Sequence, residues 1–396
     1  MKALLVWEMG QDLGHVSILA TVARVLIDLD YEVVCVLKET SHVASTFGDL
    51  PITYLPFPPT DRVRRSSSPT ISMADILSRR GFDDPSRLSK QIEKWQAVYD
   101  AVQPDLVVFD FAPMALLAAR NRDFKKAVIG TGWGTLAPGY SVLPLNLWAD
   151  IDPELIRSSE KTLVDSINHV CRAMSCAEVN YVSDLYESDL TLIVNFPDLD
   201  IYGPQRNNAI YLGPIEENRA GPVNDNWLEK GSNVFAYLKS GHSITTRTLN
   251  VLKRLNVNSI VYIPSLSDDS ANAMRRDGFK VSTTPVNLRS LLPKVDAVIC
   301  HAGLGTLGRS IMAGTPALAL PLQLEQANTA ELYTRSGAGL HAGPSASEEE
   351  LEKKLSALLQ NEVYMDCTHA LRKSLNHPVS AKTRIRNEFA SMFSYQ

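Results

Sequence analysis

Short apolar runs alternate with helical patterns along the first half of the chain. The run Ala3–Trp7 comes first, and the apolar residues after it repeat at helical spacing, at Leu19, Val22, Leu26 and Leu29. Further apolar runs occur at 32–37, 106–109, 127–129 and 192–194. Continuous apolar strands separated by helices are typical of a parallel sheet that is covered on both faces. This half is therefore predicted to be a doubly wound α/β domain.

The same alternation returns in the second half. Strands are predicted at 234–238, 259–263, 297–300 and 317–320, and helices from Ile244, from about Leu304 and over 325–335. Residues 206–230 contain turn residues and few apolar anchors, as linkers do. The predicted organisation is an N-terminal domain over 1–205, a linker over 206–230, a C-terminal domain over 231–379 and a final helix, 380–396, that packs back on the first domain. In such sheets ligands bind beyond the carboxyl ends of the strands, so a cleft between two facing domains is the expected site.

Composition and charge narrow the class of protein. Of the 396 residues 45% are hydrophobic and 21% charged, and the formal net charge is −5. These values exclude a low-complexity chain and argue against a nucleic-acid binder, which normally carries a basic excess. No apolar run approaches the roughly 18 residues of a membrane span, and the first run is too short for a signal peptide. Five scattered cysteines fit reduced thiols, so a cytoplasmic protein without stable membrane insertion is expected.

The clearest chemical signal is the segment Cys300–Thr306, in which an apolar strand ends, two glycines form a turn and a helix begins. Gly303 and Gly305 let backbone N–H groups and the positive end of the helix approach a phosphate closely. His301 and the hydroxyl of Thr306 would add donors to the same oxygens. The alternative is a strand-to-helix turn that needs glycine only for steric reasons.

Further motifs follow at close spacing, namely Gly314-Thr315-Pro316, Pro321 and Glu325-Gln326. Residues 300–339 as a whole resemble the donor-binding signature of nucleotide-sugar glycosyltransferases with the GT-B fold. The resemblance is strongest to family 1, the UDP-glycosyltransferase superfamily, and extends to family 28. It implies two Rossmann-like doubly wound domains that face each other across a cleft.

The resemblance also implies which residues bind the donor. The pyrophosphate is assigned to His301, Gly303, Gly305 and Thr306. The sugar hydroxyls are assigned to Glu325 and Gln326, a pair that by itself would also fit a solvated helix N-terminus. A loop near the donor phosphates is matched by Gly241, His242 and Ser243. The remaining donor contacts are assigned to Gly14, Pro285 and Val286.

The N-terminal half carries a second match. Gly14 and His15 follow the first strand and precede the first helix, so His15 lies at the carboxyl end of a strand. In the family this histidine is the general base, and its partner is an aspartate at the end of a later strand, a place that Asp110 matches. His15 would remove the acceptor proton and Asp110 would orient the ring. Taken without the family, His15 fits a packed or capping side chain and Asp110 the start of a turn.

Two departures from the family pattern concern the identity of the nucleotide base and the source of the protein. The segment before the signature keeps Pro285 but lacks the glutamine of better-known members, so uracil, thymine and guanine all stay open as the base. The tryptophan-containing box of the plant enzymes is absent, which favours a bacterial origin.

Acceptor recognition falls to loops of the N-terminal domain in this family. Trp133, Tyr140 and Trp148 lie in a glycine- and aromatic-containing segment suited to stacking on a flat or apolar acceptor, although such a segment also fits a domain interface. Residues 56–90, rich in proline, serine and arginine, are predicted to form a surface insertion. This segment contains Arg62, Arg64 and Arg65. These arginines would either attract an anionic acceptor or belong to a solvated loop.

These observations predict an inverting glycosyltransferase of the hexosyltransferase class, which moves a sugar from a UDP- or TDP-sugar to an acceptor hydroxyl. No cofactor beyond this co-substrate is expected, and no metal, since the eight histidines show no His-x-x-x-His spacing. The acceptor stays open between a small molecule, a lipid-linked intermediate and a glycan, as do the sugar and the oligomeric state. Two alternatives share the fold: a nucleotide-sugar epimerase without a separate acceptor, and a non-catalytic auxiliary partner of a transferase.

Overall fold

A computed structural model describes residues 1–10, 13–59, 69–215, 227–228, 230–375 and 379–393. The chain divides into two compact units. The first comprises Met1–Val194, Ile201–Glu216 and Pro378–Gln396, and the second comprises Asn195–Asp200 and Glu217–His377. Arg62, Arg64 and Arg65 lie outside the described residues.

The first unit is built on a parallel sheet in the strand order β3-β2-β1-β4-β5-β6-β7. Its strands are β1 (Lys2–Trp7), β2 (Glu32–Leu37), β3 (Ile52–Leu55), β4 (Leu106–Asp110), β5 (Lys125–Gly130), β6 (Leu190–Ile193) and β7 (Ala209–Tyr211). The central strand β1 pairs with β2 on one side and β4 on the other, and its residues from Ala3 to Trp7 are fully buried. This accounts for their continuous apolar run.

Helices cover this sheet. They are α1 (Leu13–Ile27), α2 (Val43–Phe47), α3 (Met73–Ser78), α4 (Pro85–Val102), α5 (Pro113–Ala118) and α6 (Pro153–Ala173), together with α14 (Ala381–Ser391) from the end of the chain. Proline opens α4, α5 and α6, a position where its missing N–H is not needed. α14 joins the core beside α1 through Ile385 and Phe389.

The prediction of a surface insertion over 56–90 is wrong for its described second half. That half contains α3 and the start of α4, and it buries Met73, Leu77, Phe82 and Leu88 completely. Only Met73 and Leu77 stand one helical turn apart, and arginines, serines and a glycine separate them from the next apolar residues, so the pattern was too short to indicate a buried helix.

The second unit has a parallel sheet in the order β10-β9-β8-β11-β12-β13. Its strands are β8 (Asn233–Tyr237), β9 (Asn258–Tyr262), β10 (Lys280–Ser282), β11 (Ala297–Cys300), β12 (Ala317–Ala319) and β13 (Gly339–His341). Its helices are α7 (Ser243–Arg254), α8 (Asp268–Arg276), α9 (Leu288–Leu291), α10 (Leu304–Ala313), α11 (Leu324–Arg335), α12 (Glu348–Gln360) and α13 (Val363–Lys373). The predicted fold class, two parallel-sheet α/β units, is confirmed.

Candidate functional site

His15 and Asp110 meet at the carboxyl edge of the first sheet. β1 and β4 are paired with Trp7 opposite Asp110, and α1, which follows β1, carries His15 in its first turn. His15 Nδ1 lies 2.9 Å from each carboxylate oxygen of Asp110. The Asp110 side chain is 1% exposed and that of His15 16%. Since a carboxylate only accepts, Nδ1 carries the proton, and the lone pair of the neutral ring is on Nε2.

The imidazole of His15 is held by close packing as well as by Asp110. The Trp7 ring stacks on it at 5.1 Å between centroids, and the Phe111 ring lies 6.5 Å away. Gly10 has a positive φ of +88°, and a Cβ there would stand 2.2 Å from His15 Nε2. Lys38 Nζ donates to the carbonyl of Gly10 at 2.5 Å. Only glycine therefore fits beside this ring.

The loop after β5 lies against Asp110 and Phe111. A Cβ on Gly134 would come within 2.5 Å of the Phe111 ring, and one on Gly130 would stand 3.7 Å from an Asp110 carboxylate oxygen. Arg206 fixes this loop by donating to the carbonyls of Gly132 at 3.1 Å and Leu136 at 3.3 Å, and also to that of Thr135. Sequence reasoning missed Arg206, because nothing in the sequence links it to residues some 70 positions earlier.

The predicted acceptor residues follow on the same loop. Trp133 is half-buried and directly precedes Gly134. Tyr140 and Trp148 are 37% and 53% exposed. The backbone near Tyr140 is tied down by two buried carboxylates: Asp184 accepts from the N–H of Gly139, and Glu160 accepts from Ser141 and Val142. Tyr140 thus stands exposed where the backbone on both sides of it is hydrogen-bonded, and Trp148 is exposed further along the same loop.

Glu8 is a buried carboxyl group that sequence reasoning did not single out. It follows β1 directly and accepts from the N–H of Met114 at 2.9 Å. Its Oε1 has no hydrogen-bond partner within the described residues. Burial raises the pKa of Glu8 to about 8, although hydrogen bonding, chiefly from the N–H of Met114, and the Arg80 charge work in the opposite direction.

In the second unit, His301 directly follows β11, the strand that lies between β8 and β12 in the sheet. Its Nδ1 donates to the carbonyl of Leu320 at 2.8 Å, beyond the end of β12. Its Nε2 accepts from the backbone N–H of Lys239 at 2.9 Å, beyond the end of β8. Burial lowers the pKa of His301 below its usual value. A direct contact to a ligand would require one of these two bonds to be given up.

Two helices begin at this edge of the second sheet, α7 after β8 and α10 after β11, and the two strands pair directly. Gly241, with φ +80°, precedes α7; His242 is the N-cap residue of this helix and Ser243 its first residue. Gly303 caps α10, and a Cβ on Gly303 or Gly305 would meet no atom within 4 Å. Backbone N–H groups at adjacent helix N-termini are a suitable cradle for a diphosphate.

The other predicted donor residues are placed as follows. Thr306 is nearly buried in the first turn of α10, where its N–H donates to the carbonyl of Gly303 at 3.1 Å. Gln326 is buried in the first turn of α11, and its side-chain oxygen accepts from the N–H of Leu322. Glu325 beside it is half-buried.

Gly14, Pro285 and Val286 complete the predicted donor residues. Gly14 belongs to α1 in the first unit, and a Cβ there would meet nothing within 4 Å. Pro285 is exposed and Val286 buried in the segment after β10, which lies two strands away from β8.

The described part of the chain contains no group of three or more histidine, cysteine, aspartate or glutamate side chains that could hold a metal ion. Within the same residues, no helix is both long enough and apolar enough to cross a bilayer.

Comparison with known proteins gives a match in the second unit. The UDPGT family, UDP-glucoronosyl and UDP-glucosyl transferase, matches residues 284–379. Similar curated proteins are the PGL/p-HBAD biosynthesis rhamnosyltransferases of Mycobacterium bovis (strain BCG / Pasteur 1173P2) and Mycobacterium tuberculosis (strain ATCC 25177 / H37Ra), each 26% identical over 281 residues. The match covers 67% of this chain and 62% of each relative's length.

Solved structures match along the whole chain. The glycosyltransferase of kitacinnamycin has a TM-score of 0.69 at 14% identity, and the match covers 98% of both chains. The spinosyn rhamnosyltransferase SpnG has a TM-score of 0.67 at 16% identity over 98% of this chain and 100% of its own. SpnG has also been solved in complex with thymidine diphosphate and with the spinosyn aglycone. The fold is therefore GT-B, as the resemblance over residues 300–339 predicted.

Proposed function

We propose that this chain, a GT-B protein of the family 1 UDP-glycosyltransferase type, transfers a sugar from a nucleoside-diphosphate sugar to an acceptor hydroxyl with inversion at the anomeric carbon. The observation that carries the proposal is the His15–Asp110 pair, in which a buried carboxylate holds an imidazole that is itself partly exposed. General acid–base catalysis by an oriented histidine requires this arrangement.

His15 is the proposed general base. With Nδ1–H bonded to Asp110, Nε2 takes the proton of the acceptor hydroxyl as its oxygen bonds to the anomeric carbon. The bond from that carbon to the nucleotide phosphate breaks on the opposite face, which inverts the configuration. Asp110 stabilises the imidazolium that forms, and its near-complete burial strengthens this interaction.

The donor diphosphate is proposed to bind where α7 and α10 begin. The departing diphosphate gains negative charge, and oriented N–H groups with the Thr306 hydroxyl stabilise it without reorganisation during the reaction. We expect transfer to continue in the presence of a metal chelator. Thymidine diphosphate is the nucleotide proposed first, because SpnG binds it, and UDP is the alternative that the family description suggests. Rhamnose is the sugar to test first, because three of the similar proteins named above are rhamnosyltransferases.

The acceptor is proposed to be an apolar or aromatic molecule with a free hydroxyl. Trp148 and Tyr140 expose aromatic surface on the loop after β5, and stacking on such rings does not depend on the acceptor's polar groups. SpnG, which has a similar fold, binds the spinosyn aglycone.

The test is a calorimetric titration of the full chain with TDP, UDP and GDP. One nucleotide should bind well, and Thr306→Val should weaken it roughly tenfold or more, because a hydrogen bond to a charged group contributes about 1.5–3 kcal/mol. Thr162→Val on the exposed face of α6 is the matched control and should leave binding unchanged. No binding of any nucleotide would contradict the proposal and favour an auxiliary protein. Conversion of the donor to another sugar nucleotide without acceptor would favour an epimerase.

A further inference from the structure

We infer that Lys38 and Arg80 form a cationic subsite near His15 that binds a carboxylate of the acceptor. The inference rests on the proposed function, because it narrows the acceptor to a hydroxy acid with an aromatic or apolar body. From the sequence, an anionic acceptor is suggested only by arginines that lie outside the described residues.

Lys38 is bonded to two residues that pack against the His15 ring. It directly follows β2, and its backbone N–H donates to the carbonyl of Trp7 at 3.0 Å, while its Nζ donates to the carbonyl of Gly10 at 2.5 Å. The Trp7 ring stacks on His15, and a Cβ on Gly10 would stand 2.2 Å from His15 Nε2. Because the Cβ and the carbonyl oxygen of one residue are about 3 Å apart, the ammonium lies at most about 8 Å from Nε2.

Arg80 is the second cation, two residues beyond the end of α3. It is half-buried, and its backbone N–H donates to the carbonyl of Leu77 at 2.9 Å. Within the part of the chain that the structure describes, its guanidinium forms no hydrogen bond or ion pair. The Arg80 charge acts on both Lys38 and Glu8, which follow β2 and β1. The planar fork of a guanidinium matches the two oxygens of a carboxylate.

The neighbouring carboxyl groups compensate these two cations poorly. Glu8 is 6% exposed, and burial raises its pKa to about 8, so its neutral form predominates at neutral pH. Glu39 Oε1 lies 4.0 Å from Lys38 Nζ, and the Glu39 side chain is 43% exposed. Burial and the Arg80 charge lower the pKa of Lys38, and burial lowers the pKa of Arg80. An anion bound between the two cations would offset both effects.

A carboxylate held at this subsite would orient the reacting hydroxyl of the acceptor. The Lys38 ammonium has three donors, and the carbonyl of Gly10 uses one of them, so further donors are available to a ligand. Because the ammonium is close to His15 Nε2, one small aromatic molecule can reach both groups, and the anchored carboxylate restricts how its hydroxyl approaches the base. In the alternative, Lys38 only fixes the turn at Gly10, and charged and neutral acceptors are then affected equally by its loss.

The experiment compares acids with their neutral amides on the full chain saturated with TDP. Calorimetry at pH 7.5 gives the Kd of 4-hydroxyphenylacetate and of 6-hydroxy-2-naphthoate, each beside its carboxamide, which has nearly the same shape but no charge. We expect each acid to bind at least about tenfold more tightly than its amide, because hydrogen bonds to a charged group are the stronger ones.

The variants test whether Lys38 and Arg80 cause this preference. Lys38→Met and Arg80→Met should each reduce the acid-to-amide preference at least about threefold, and the double variant should abolish it. Lys38→Arg and Arg80→Lys keep the charge and should retain most of the preference. Lys161→Met and Arg157→Met, at exposed positions of α6, are the matched controls and should keep the wild-type value.

Equal affinity for acid and amide in the wild type, or no saturable binding of either acid, would overturn the inference and leave the proposed function intact. The same holds if the methionine variants lose acid and amide binding by equal factors, or lose affinity for TDP alone, since the charges would then serve the turn or the donor. Absence of TDP and UDP binding in the folded wild type would instead contradict the proposed function itself. If the methionine variants do not fold, ¹⁵Nε NMR of arginine in the wild type decides the question, with Arg80→Lys to identify the signal. A shift of the Arg80 signal with 4-hydroxyphenylacetate but not with its amide supports the subsite, and no shift contradicts it.

Discussion

His15 Nδ1 lies 2.9 Å from both carboxylate oxygens of Asp110, although the two residues are 95 positions apart in the sequence. Parallel pairing of β1 with β4 brings the ends of these strands together, and α1 starts beside them. Because Asp110 is buried in the sheet edge, its carboxylate has a fixed position from which to orient the ring. The catalytic proposal depends on this relationship more than on any single residue.

Replacing His15 by alanine should lower kcat for transfer to a hydroxyl acceptor by roughly 10²–10⁴-fold, the usual contribution of a general base. The affinity for the nucleotide should stay near that of the wild type, since the proposed diphosphate contacts belong to the second unit. Initial rates with a saturating TDP-sugar, together with calorimetric Kd values for TDP, separate the two effects.

His42→Ala serves as the control for that measurement, because His42 is also a histidine of the first unit but is exposed and precedes the short helix α2. Its kcat should equal that of the wild type. A His15→Ala variant with near-normal kcat toward a hydroxyl acceptor would remove His15 from the mechanism.

The strands that sequence patterns missed share one physical property. β3, β7, β10 and β13 are the edge strands of the two sheets. An edge strand has one neighbour and is partly exposed, so it lacks the long apolar run by which the central strands were found. β7 even falls within the predicted linker, where Tyr211 precedes a leucine, a glycine and a proline.

The candidate site residues that lie at the ends of strands could be predicted from the sequence. His15, Asp110 and His301 each follow or end a recognisable strand, and their sequence motifs are local. The hydrogen bonds that orient these side chains are not local: the His301 ring bonds to the backbone of Lys239 and Leu320, which follow two other strands. Arg206 and Glu8 had no signal of their own, because only the folded chain shows what surrounds them.

Gly10→Ala should disturb the His15 ring directly. A Cβ at this position would overlap Nε2, and the ring has little freedom to retreat because Asp110 and Trp7 hold it. We expect kcat to fall at least tenfold, in addition to a loss of about 1–2 kcal/mol in stability from the positive φ. Gly278→Ala is the matched control, since Gly278 has φ +95° with no atom within 4 Å of an added Cβ. It should show the loss of stability in thermal unfolding and a normal kcat, and equal kcat losses in both variants would contradict the steric argument.

Arg206→Met should loosen the loop that lies against Asp110 and Phe111. The variant removes the donors to the carbonyls of Gly132, Thr135 and Leu136, and we expect a loss of about 2–4 kcal/mol in unfolding free energy. The acceptor KM should rise, because Trp133 belongs to this loop. Urea unfolding and acceptor saturation curves provide the measurement. Arg157→Met is the control: Arg157 pairs with Glu154 on the exposed face of α6, and its loss should change stability by less than about 1 kcal/mol.

The free energy of unfolding of Glu8→Gln, compared with that of the wild type, should increase as the pH rises. The pKa of Glu8 is about 8 in the folded chain and 4.5 when the residue is unperturbed, so folding favours the protonated carboxyl. The stability associated with this proton is fully present below pH 4.5 and is lost as the pH rises through 8. Glutamine keeps the shape and the acceptor for Met114 but releases no proton.

The difference in unfolding free energy between Glu8→Gln and wild type should therefore shift in favour of the variant by roughly 3–4 kcal/mol between pH 5 and pH 8, at about 1.4 kcal/mol for each pH unit over which only the unfolded chain is deprotonated. Urea unfolding at pH 5, 6.5 and 8 measures this shift. Glu93→Gln, at an exposed position of α4, should differ from wild type by less than about 0.5 kcal/mol at each pH. A constant difference for Glu8→Gln across the three pH values would mean that the carboxyl is already ionised at pH 5 in the folded protein. The hydrogen bonds to Glu8, chiefly from the N–H of Met114, and the Arg80 charge would then offset its burial.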